Sequence, residues 1–364
     1  MNGEPRPIAR LRNVDKETFH REIVPQGEPV VLEGLVRQWP AVQSAMESPE
    51  AACAYLARLD SGAESDAVLV PAGLDGRMFY KPDLSDFNFA RRTLSVSAVL
   101  QQMARYSHFD SPPSVALQCA HVSECLPGFE AANPMPLMEA DVRPRLWLGN
   151  AFLTPAHIDE LDNLACVVGG HRRFTLFPPE QVRNLYIGPV DFTPAGAPVS
   201  LVSLKSPDFE RFPRFREALA AARVAELEPG DALFIPAVWW HHVESFDVVN
   251  VLINYWWQQS SCMQAERVSP TKTMLHALLS MRHLPAAHRK GWAEVFAHFV
   301  FADPAEAAGH LPAERQGILG KQPPERIESL LASLAPRTKV DGSLDPLHGD
   351  QIETSDTRRS GGLH

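Results

Sequence analysis

Residues 154–179 of this 364-residue chain read TPAHIDELDNLACVVGGHRRFTLFPP. Short runs of β-forming residues alternate here with turn-forming pairs, Gly169-Gly170 and Pro178-Pro179. The same pattern of runs and turns extends over residues 115–257, with one helical interruption at 213–227. Many short strands at close spacing are typical of an antiparallel sandwich or barrel. The sequence therefore predicts a mainly β core in this part of the chain.

His157 and Asp159 stand two residues apart in this stretch. Alternate side chains of a strand share one face, so on a strand opened by Thr154 the imidazole and the carboxylate can bind one cation together. Asn163 belongs to the same face by the same alternation. Two histidines and one carboxylate suit Fe(II) and leave positions open on it, although Mn(II), Co(II), Ni(II) and Zn(II) are not excluded. Because a lone His-x-Asp pair also occurs in ordinary polar turns, a third ligand is needed.

Residues 229–245, PGDALFIPAVWWHHVES, offer two candidates for that third ligand. On a strand, His241 shares a face with Val243, and His242 shares the opposite face with Glu244. The face with the apolar valine is the one expected to point into a barrel, so His241 is the predicted ligand. The competing interpretation is an aromatic core strand in which a buried histidine bonds a backbone carbonyl.

The chain on either side of this core contains segments with helical periodicity. Residues 1–114 mix helices with short strands, including a hairpin predicted around the turn at 73–76, and are expected to pack on a barrel formed by residues 115–261. Residues 262–336 are predicted to be helical, and residues 337–364 form a polar tail that is expected to be disordered. An apolar stripe in the helical part fits either a core or a homodimer contact, and its members are Met274, Leu275, Leu278, Leu279 and Met281.

The composition is that of a globular protein, with 45% hydrophobic and 21% charged residues. A formal net charge of −10 argues against broad binding to a nucleic-acid backbone, which needs a basic surface. The five cysteines include no CxxC pair, and the chain has no run of about eighteen apolar residues. Because the first residues also lack the apolar core of a signal peptide, we expect reduced thiols, no membrane span and a cytoplasmic protein.

Several ordered blocks of the chain together resemble a known family. Residues 154–179, residues 229–245 and the later NYWW at 254–257 are similar to the JmjC, cupin-8 branch of 2-oxoglutarate oxygenases, and the likeness extends upstream to PVVLEGLVRQWPA at 29–41. Within that branch, the chain looks most like the group that contains the asparaginyl hydroxylase acting on hypoxia-inducible factor. The resemblance implies a double-stranded β-helix, which is the squashed cupin or jelly-roll barrel, with flanking helices and a C-terminal helical region.

The resemblance also implies a set of cofactors and the residues that hold them. His157, Asp159 and His241 match the ligands of Fe(II), and the co-substrates would be 2-oxoglutarate and O2. The resemblance assigns four further residues to contacts with 2-oxoglutarate or to the pocket near the iron: Thr154, Asn163, Asn254 and Trp256. The aromatic residues expected to wall the pocket, unless they are ordinary core residues, are Phe174, Trp239 and Trp256.

Two departures from the family concern the far carboxylate of 2-oxoglutarate. Arg172 stands where the family usually offers a lysine. An arginine can bind a carboxylate through two hydrogen bonds, and the other interpretation of Arg172 is a solvated hairpin charge. Ala116 stands where close relatives place a tyrosine, which would leave room for the longer arginine. Gln118, on the same face as Ala116, is predicted to contact the co-substrate or the prime substrate unless it is a plain barrel residue.

The resemblance therefore implies an Fe(II)- and 2-oxoglutarate-dependent dioxygenase that releases succinate and CO2. Hydroxylation of a protein side chain or of a small molecule is the expected reaction, and demethylation is the same chemistry on an N-methyl carbon. A homodimer through the C-terminal helices is also favoured. The alternative is a metal-binding cupin that binds or senses a ligand without oxygenase turnover, since this fold hosts many functions.

Overall fold

A computed structural model describes residues 5–258, 269–320 and 322–334. These residues form two compact units. The first unit comprises residues 5–258 together with 269–271, and the second comprises the described residues from Lys272 onward. The predicted tail at 337–364 lies outside the described residues, as does the start of the predicted helical region at 262–268.

Two β-sheets make up the first unit. The described strands, in chain order, are β1 (Arg6–Pro7), β2 (Ala9–Arg12), β3 (Val30–Glu33), β4 (Ser65–Val70), β5 (Ala90–Leu94), β6 (Ser114–His121), β7 (Pro144–Gly149), β8 (Phe152–His157), β9 (Asp162–Gly169), β10 (Arg172–Phe177), β11 (Arg223–Leu227), β12 (Ala232–Ile235), β13 (Trp240–Ser245) and β14 (Asn250–Trp257). The smaller sheet has the order β1-β11-β10-β13-β8, and the larger has the order β2-β3-β12-β9-β14-β7-β6-β4-β5. Pairing is antiparallel except between β1 and β11 and between β2 and β3.

The two sheets pack face to face around an apolar core. Phe174 and Leu176 of β10 belong to the same buried cluster as Val167 of β9 and Leu252 of β14. Because this cluster draws side chains from both sheets, the core lies between them, as in a β-sandwich. The predicted mainly β, jelly-roll core with flanking helices is confirmed.

Several helices of the first unit pack against its sheets, and the described part of the second unit is also helical. The described α-helices, in chain order, are α1 (Lys16–Thr18), α2 (Pro40–Glu47), α3 (Pro49–Leu59), α4 (Val96–Tyr106), α5 (Val122–Cys125), α6 (Phe129–Ala132), α7 (Phe215–Ala221), α8 (Pro270–Met281), α9 (Ala286–Phe296), α10 (Pro304–Ala308) and α11 (Pro324–Leu334). Short π-helical turns follow at Phe19–Ile23 and Ala297–Phe301, and 3₁₀ turns lie at Val24–Gln26, Pro179–Asn184, Ala313–Arg315 and Gly317–Leu319.

Helix α4 shows why these segments are helical. The hydroxyl of Ser95 caps it by accepting from the amide of Ala98 at 3.2 Å. The buried residues of α4 recur at helical spacing on one face: Val96, Val99, Leu100 and Met103.

Residues 1–114 contribute five strands to the two sheets. The hairpin predicted around 73–76 is wrong, because β4 pairs instead with β5 and β6. The segment after the turn lies against β8: the amide of Leu153 donates to the carbonyl of Gly76 at 3.0 Å, and the amide of Met78 donates to the carbonyl of Leu153 at 3.2 Å. Hydrogen bonds to a distant strand thus replace those of the local hairpin.

The second unit is helical and carries many exposed apolar side chains. The large hydrophobic residues exposed in this unit are Met274, Leu279, Trp292, Val295, Phe299, Val300, Phe301 and Ile318. None of the helices in the described ranges has the length and apolar character needed to cross a membrane. The cysteines that the structure describes are free thiols: Cys53, Cys119, Cys125 and Cys166.

Candidate metal centre

Three side chains able to bind a metal meet at one end of β8 and β13. His157, the last residue of β8, is the cross-strand partner of His241 in β13, and Asp159 follows His157 by two residues. One ligand atom from each of the three lies within 4.8 Å of the others. The imidazole centroids are 4.1 Å apart, and Nε2 of His241 is 3.6 Å from Oδ2 of Asp159. The structure thus brings together residues that are far apart in sequence.

Backbone carbonyls set the orientation of both imidazoles. Nδ1 of His157 donates to the carbonyl oxygen of Pro155 at 2.9 Å, and Nδ1 of His241 donates to that of Trp239 at 3.1 Å. Since the carbonyls accept, the hydrogen of each neutral ring is on Nδ1 and the lone pair of Nε2 is left for a metal. Burial, together with the nearby His241, lowers the pKa of His157 to about 4. This imidazole is therefore uncharged at neutral pH, which is the form that binds metals.

Asp159 is held by donors from two strands of the larger sheet. The side-chain amide of Asn163 in β9 and the indole Nε1–H of Trp256 in β14 both donate to its Oδ2, each at 3.1 Å. The amide of Asn254 donates in turn to Oδ1 of Asn163 at 2.7 Å. Donors of this kind fix the direction of a ligand carboxylate. Two imidazoles and one oriented carboxylate fit a divalent transition metal such as Fe(II).

A cavity of about 510 Å³ opens beside this cluster, between the two sheets. Every site residue predicted from the sequence lines it: Gln118, Thr154, His157, Asp159, Asn163, Arg172, His241, Asn254 and Trp256. Phe174 also lines the cavity, as expected for a wall residue. Trp239 does not: its indole donates to the carbonyl of Gly27 at 3.0 Å within the core. The wall role expected for Trp239 is therefore wrong, because its ring packs in the core between the sheets.

Arg172 is a buried cation inside this cavity. Its side chain is only 8% exposed, and its Nε has no hydrogen-bond partner among the described residues. Burial lowers the pKa of its guanidinium to about 10, still well above neutral pH, so the group stays charged. Its neighbour Arg173 is exposed and pairs with Glu226. Arg172 thus lines the cavity together with Phe174, two residues on, whereas Arg173 points to the opposite face of β10.

A small void of about 30 Å³ extends the cavity behind Arg172. Ala116, Thr154 and Gln118 line this void together with the guanidinium-bearing side chain. Ala116 and Arg172 therefore border the same void. This agrees with the prediction that a small residue at position 116 leaves room for the longer arginine.

Asn163 reaches the site from a different strand than predicted. Strand β8 ends at His157, the chain turns over residues 158–161, and Asn163 lies in β9. The prediction that one strand carries both His157 and Asn163 is wrong. Asn163 still reaches Asp159, because the turn folds β9 back toward the end of β8.

Strand β6 is irregular where it passes the cavity. Its register with β7 shifts between Leu117 and Ala120, and Cys119 has a φ of 51°. Such a conformation is uncommon for a residue with a side chain, and a bulge of this kind turns side chains in a new direction. Both Gln118 and Cys119 line the cavity. No pattern in the sequence indicated the bulge.

Sequence reasoning missed the charged residues at the cavity wall. These residues are Asp66, Arg91, His121 and Arg145. They lie in β4, β5, β6 and β7, whose relative positions depend on pairing between distant segments. The sequence predicts His242 and Glu244 as a polar pair on the outer face or behind the metal ligands. The structure buries His242, and burial lowers its pKa to about 3.

Comparison with known proteins supports the resemblance to the cupin-8 family. Residues 16–263 match the family model of the Cupin-like domain. Human HSPB1-associated protein 1 is 42% identical over 113 residues, which are 30% of this chain and 22% of that protein. The match thus spans less than a quarter of that relative's length.

Two further relatives cover different shares of the chain. Human tRNA wybutosine-synthesizing protein 5 is 26% identical over 280 residues, 71% of this chain and 80% of that protein. Lysine-specific demethylase JMJ31 from Arabidopsis thaliana is 35% identical over 115 residues, 31% of this chain and 20% of that protein. These matches support the JmjC and cupin part of the resemblance. They do not support the narrower likeness to the asparaginyl hydroxylase.

Proposed function

Because the chain belongs to the Cupin-like domain family, we propose that it is an Fe(II)- and 2-oxoglutarate-dependent dioxygenase. One observation carries the proposal: the cluster of His157, Asp159 and His241 shares a cavity with the buried Arg172. The cluster suits Fe(II) with positions left open, and a buried guanidinium needs a carboxylate partner. 2-Oxoglutarate has a chelating end and a carboxylate end, so it matches both features.

The residues of the cluster would hold the metal through Nε2 of His157, Nε2 of His241 and the carboxylate of Asp159. With 2-oxoglutarate, bound Fe(II) supplies the oxidation of a substrate C–H bond by O2, with release of succinate and CO2. Arg172 binds the far carboxylate of 2-oxoglutarate, and the hydroxyl of Thr154 is its second donor. Both residues line the cavity and its deep extension.

The surrounding side chains orient the ligands and exclude water. Asn163 and Trp256 hold the carboxylate of Asp159, and Asn254 holds Asn163. Trp256 and Phe174 also present apolar surface to the cavity. A site kept dry in this way strengthens the ion pair between Arg172 and a carboxylate.

The reaction that we propose is hydroxylation of a protein side chain or of a small molecule. Removal of an N-methyl group uses the same oxidation and belongs to the same proposal. The names of two relatives refer to a tRNA nucleoside and to lysine demethylation, and those activities are theirs. The net charge of −10 disfavours a nucleic-acid substrate for this chain.

An anaerobic titration of the Fe(II)-loaded protein with 2-oxoglutarate tests this function. We expect a visible charge-transfer band from the chelate to appear in the wild-type protein. Asp159→Ala is the control for the metal site and should give no band. Iron bound without a band would contradict the oxygenase and favour a cupin that binds or senses another ligand.

We also propose that the protein forms a homodimer through its C-terminal helices. A groove of about 570 Å³ lies between α8 and α9. Its lining is mostly apolar and consists of Met274, Ala277, Leu278, Met281, Arg282, Arg289, Trp292, Ala293 and Phe296. Of the apolar stripe predicted in α8, Met274, Leu278 and Met281 line the groove, whereas Leu275 and Leu279 do not. The same groove of a second copy is its proposed occupant.

A further inference from the structure

The wall of the cavity carries a row of polar side chains that includes groups unused by the proposed function. Arg145 of β7 is the cross-strand partner of His121 in β6 on one side and of Asn254 in β14 on the other. Directly opposed residues of antiparallel strands point to the same face, and all three residues line the cavity. Asn254 donates to Asn163, and Asn163 donates to Asp159. The row therefore leads from Arg145 to the metal ligand.

Arg145 is a cation in this row without a counter-charge. The lining contains two carboxylates. Asp66 forms an ion pair with Arg91, and Asp159 belongs to the metal centre. Within the part of the chain that the structure describes, no carboxylate pairs with Arg145 and no side chain accepts a hydrogen bond from it.

The charges of the occupied site would leave Arg145 unbalanced. A divalent cation together with Arg172 balances Asp159 together with the 2-oxoglutarate dianion. Asp66 and Arg91 balance each other. One positive charge therefore remains on Arg145 in a half-buried position, and such a charge is stabilised by an opposite one. A single negative charge on the prime substrate would supply it.

We propose that Arg145 binds a carboxylate of the prime substrate, which makes the substrate class carboxylate-bearing compounds; this inference rests on the proposed function. The guanidinium can grip a carboxylate through two parallel hydrogen bonds, and His121 stands beside it as a further donor. A phosphate dianion fits less well, because its charge exceeds that of Arg145.

The position of Arg145 also limits the shape of the substrate. Strand β14 lies between β7 and β9, and Arg145 is aligned through Asn254 with Ala165, two residues beyond Asn163 in β9. Two strand spacings across and two residues along the strand put the backbone of Arg145 about 12 Å from that of Asn163. Trp256, the cross-strand partner of Asn163, lines the cavity between these positions, and Trp147 and Leu252 line it on the far side of Arg145. The oxidised C–H bond is therefore several bonds away from the bound carboxylate.

Chemical labelling of wild-type protein, without added metal or 2-oxoglutarate, tests the subsite directly. Phenylglyoxal modifies accessible arginines. Mass spectrometry of a digest measures the extent of labelling at Arg145 and at the exposed Arg92 in one sample. At equal ionic strength, acetate should slow the labelling of Arg145 about fivefold or more relative to neutral acetamide, and it should leave Arg92 unchanged. Equal rates with acetate and acetamide, or no labelling of Arg145 at all, would overturn the proposal. Stronger protection by inorganic phosphate than by acetate would reassign the subsite to phosphate.

Relaxation measurements place the bound anion relative to the metal. In the full chain loaded with Mn(II) and 2-oxoglutarate, the methyl protons of acetate should be broadened by the nearby paramagnetic ion. The broadening should fall about fivefold or more in Arg145→Gln and persist in the matched variant Arg92→Gln. Equal broadening in both variants would mean that acetate binds elsewhere.

The two proposals can fail separately. Protection of Arg145 by acetate in a protein that shows no 2-oxoglutarate band would reject the oxygenase and keep the anion subsite. A clear band without protection would keep the oxygenase and reject the carboxylate-bearing substrate.

Discussion

Trp256 donates its indole Nε1–H to Oδ2 of Asp159 across 3.1 Å, although the two residues are 97 positions apart. The bond orients the proposed metal ligand Asp159 through a side chain that is not itself a candidate ligand. We expect Trp256→Phe to keep the ring in the cavity wall and to lose only this donor. Because such outer partners orient the ligand, the affinity for Fe(II) should fall about 10–100-fold. Competition with a chromophoric chelator measures the change.

Trp239→Phe is the matched control for this variant. It removes an indole donor of the same kind, but that donor bonds the carbonyl of Gly27 and not a metal ligand. Its metal affinity should stay close to that of the wild type. An equal loss of affinity in both variants would show that the effect of Trp256→Phe is general destabilisation.

In the protein without 2-oxoglutarate, the buried charge of Arg172 is expected to lower the free energy of unfolding. A buried charge without a counter-charge costs free energy, and its lowered pKa of about 10 has the same cause. Replacement of such a charge by an apolar side chain of similar length, Arg172→Met, should raise the free energy of unfolding by about 1–3 kcal/mol. Chemical denaturation without 2-oxoglutarate measures this gain.

The same variant should lose its response to 2-oxoglutarate. At a concentration 100-fold above its Kd, the co-substrate should stabilise the metal-loaded wild type by about 2.7 kcal/mol, and it should leave Arg172→Met almost unchanged. Arg173→Met is the control, since this neighbour is exposed and pairs with Glu226. A variant that is less stable than the wild type yet still responds to 2-oxoglutarate would remove Arg172 from the site.

The residues of the candidate metal site could be identified from the sequence because they lie in short motifs. His157 and Asp159 are two residues apart, and the apolar Val243 marked which of two adjacent histidines faces inward. In both places, the periodicity of a single strand or the character of near neighbours carried the information. The family resemblance places Arg172 in the site, and the alternation along β10 agrees with that position.

The charged residues around the cavity could not be found in this way. Arg145 meets His121 and Asn254 only through the pairing of β7 with β6 and β14. Cys119 enters the cavity through a bulge. The failed hairpin at 73–76 has a similar cause, since hydrogen bonds to β8 outweigh a favourable local turn. Long-range pairing and register leave little trace in a local pattern.

Cys119 should be a slow thiol despite its place in the cavity. Burial raises the pKa of this thiol, and the nearby Arg145 opposes the shift only in part. Because the thiolate is the reactive form, alkylation at about pH 7.5 should be several-fold slower than that of a free cysteine and should increase steadily towards about pH 10. Mass spectrometry of the Cys119 peptide follows the rate, with Cys119→Ser as the blank. Fast labelling that does not change with pH would contradict a raised pKa.

The groove between α8 and α9 makes the predicted homodimer testable with two neighbouring residues. Leu278 lines the groove, whereas Leu279 is 81% exposed and lies outside its lining. A charge placed in an apolar contact loses its hydration without gaining a partner. We therefore expect Leu278→Glu to convert the dimer to a monomer in light scattering, while Leu279→Glu keeps the mass of the wild type. Far-ultraviolet circular dichroism checks that both variants stay helical. A wild-type protein that is monomeric at high concentration, or a Leu278→Glu variant with unchanged mass, would reject the groove as the dimer contact.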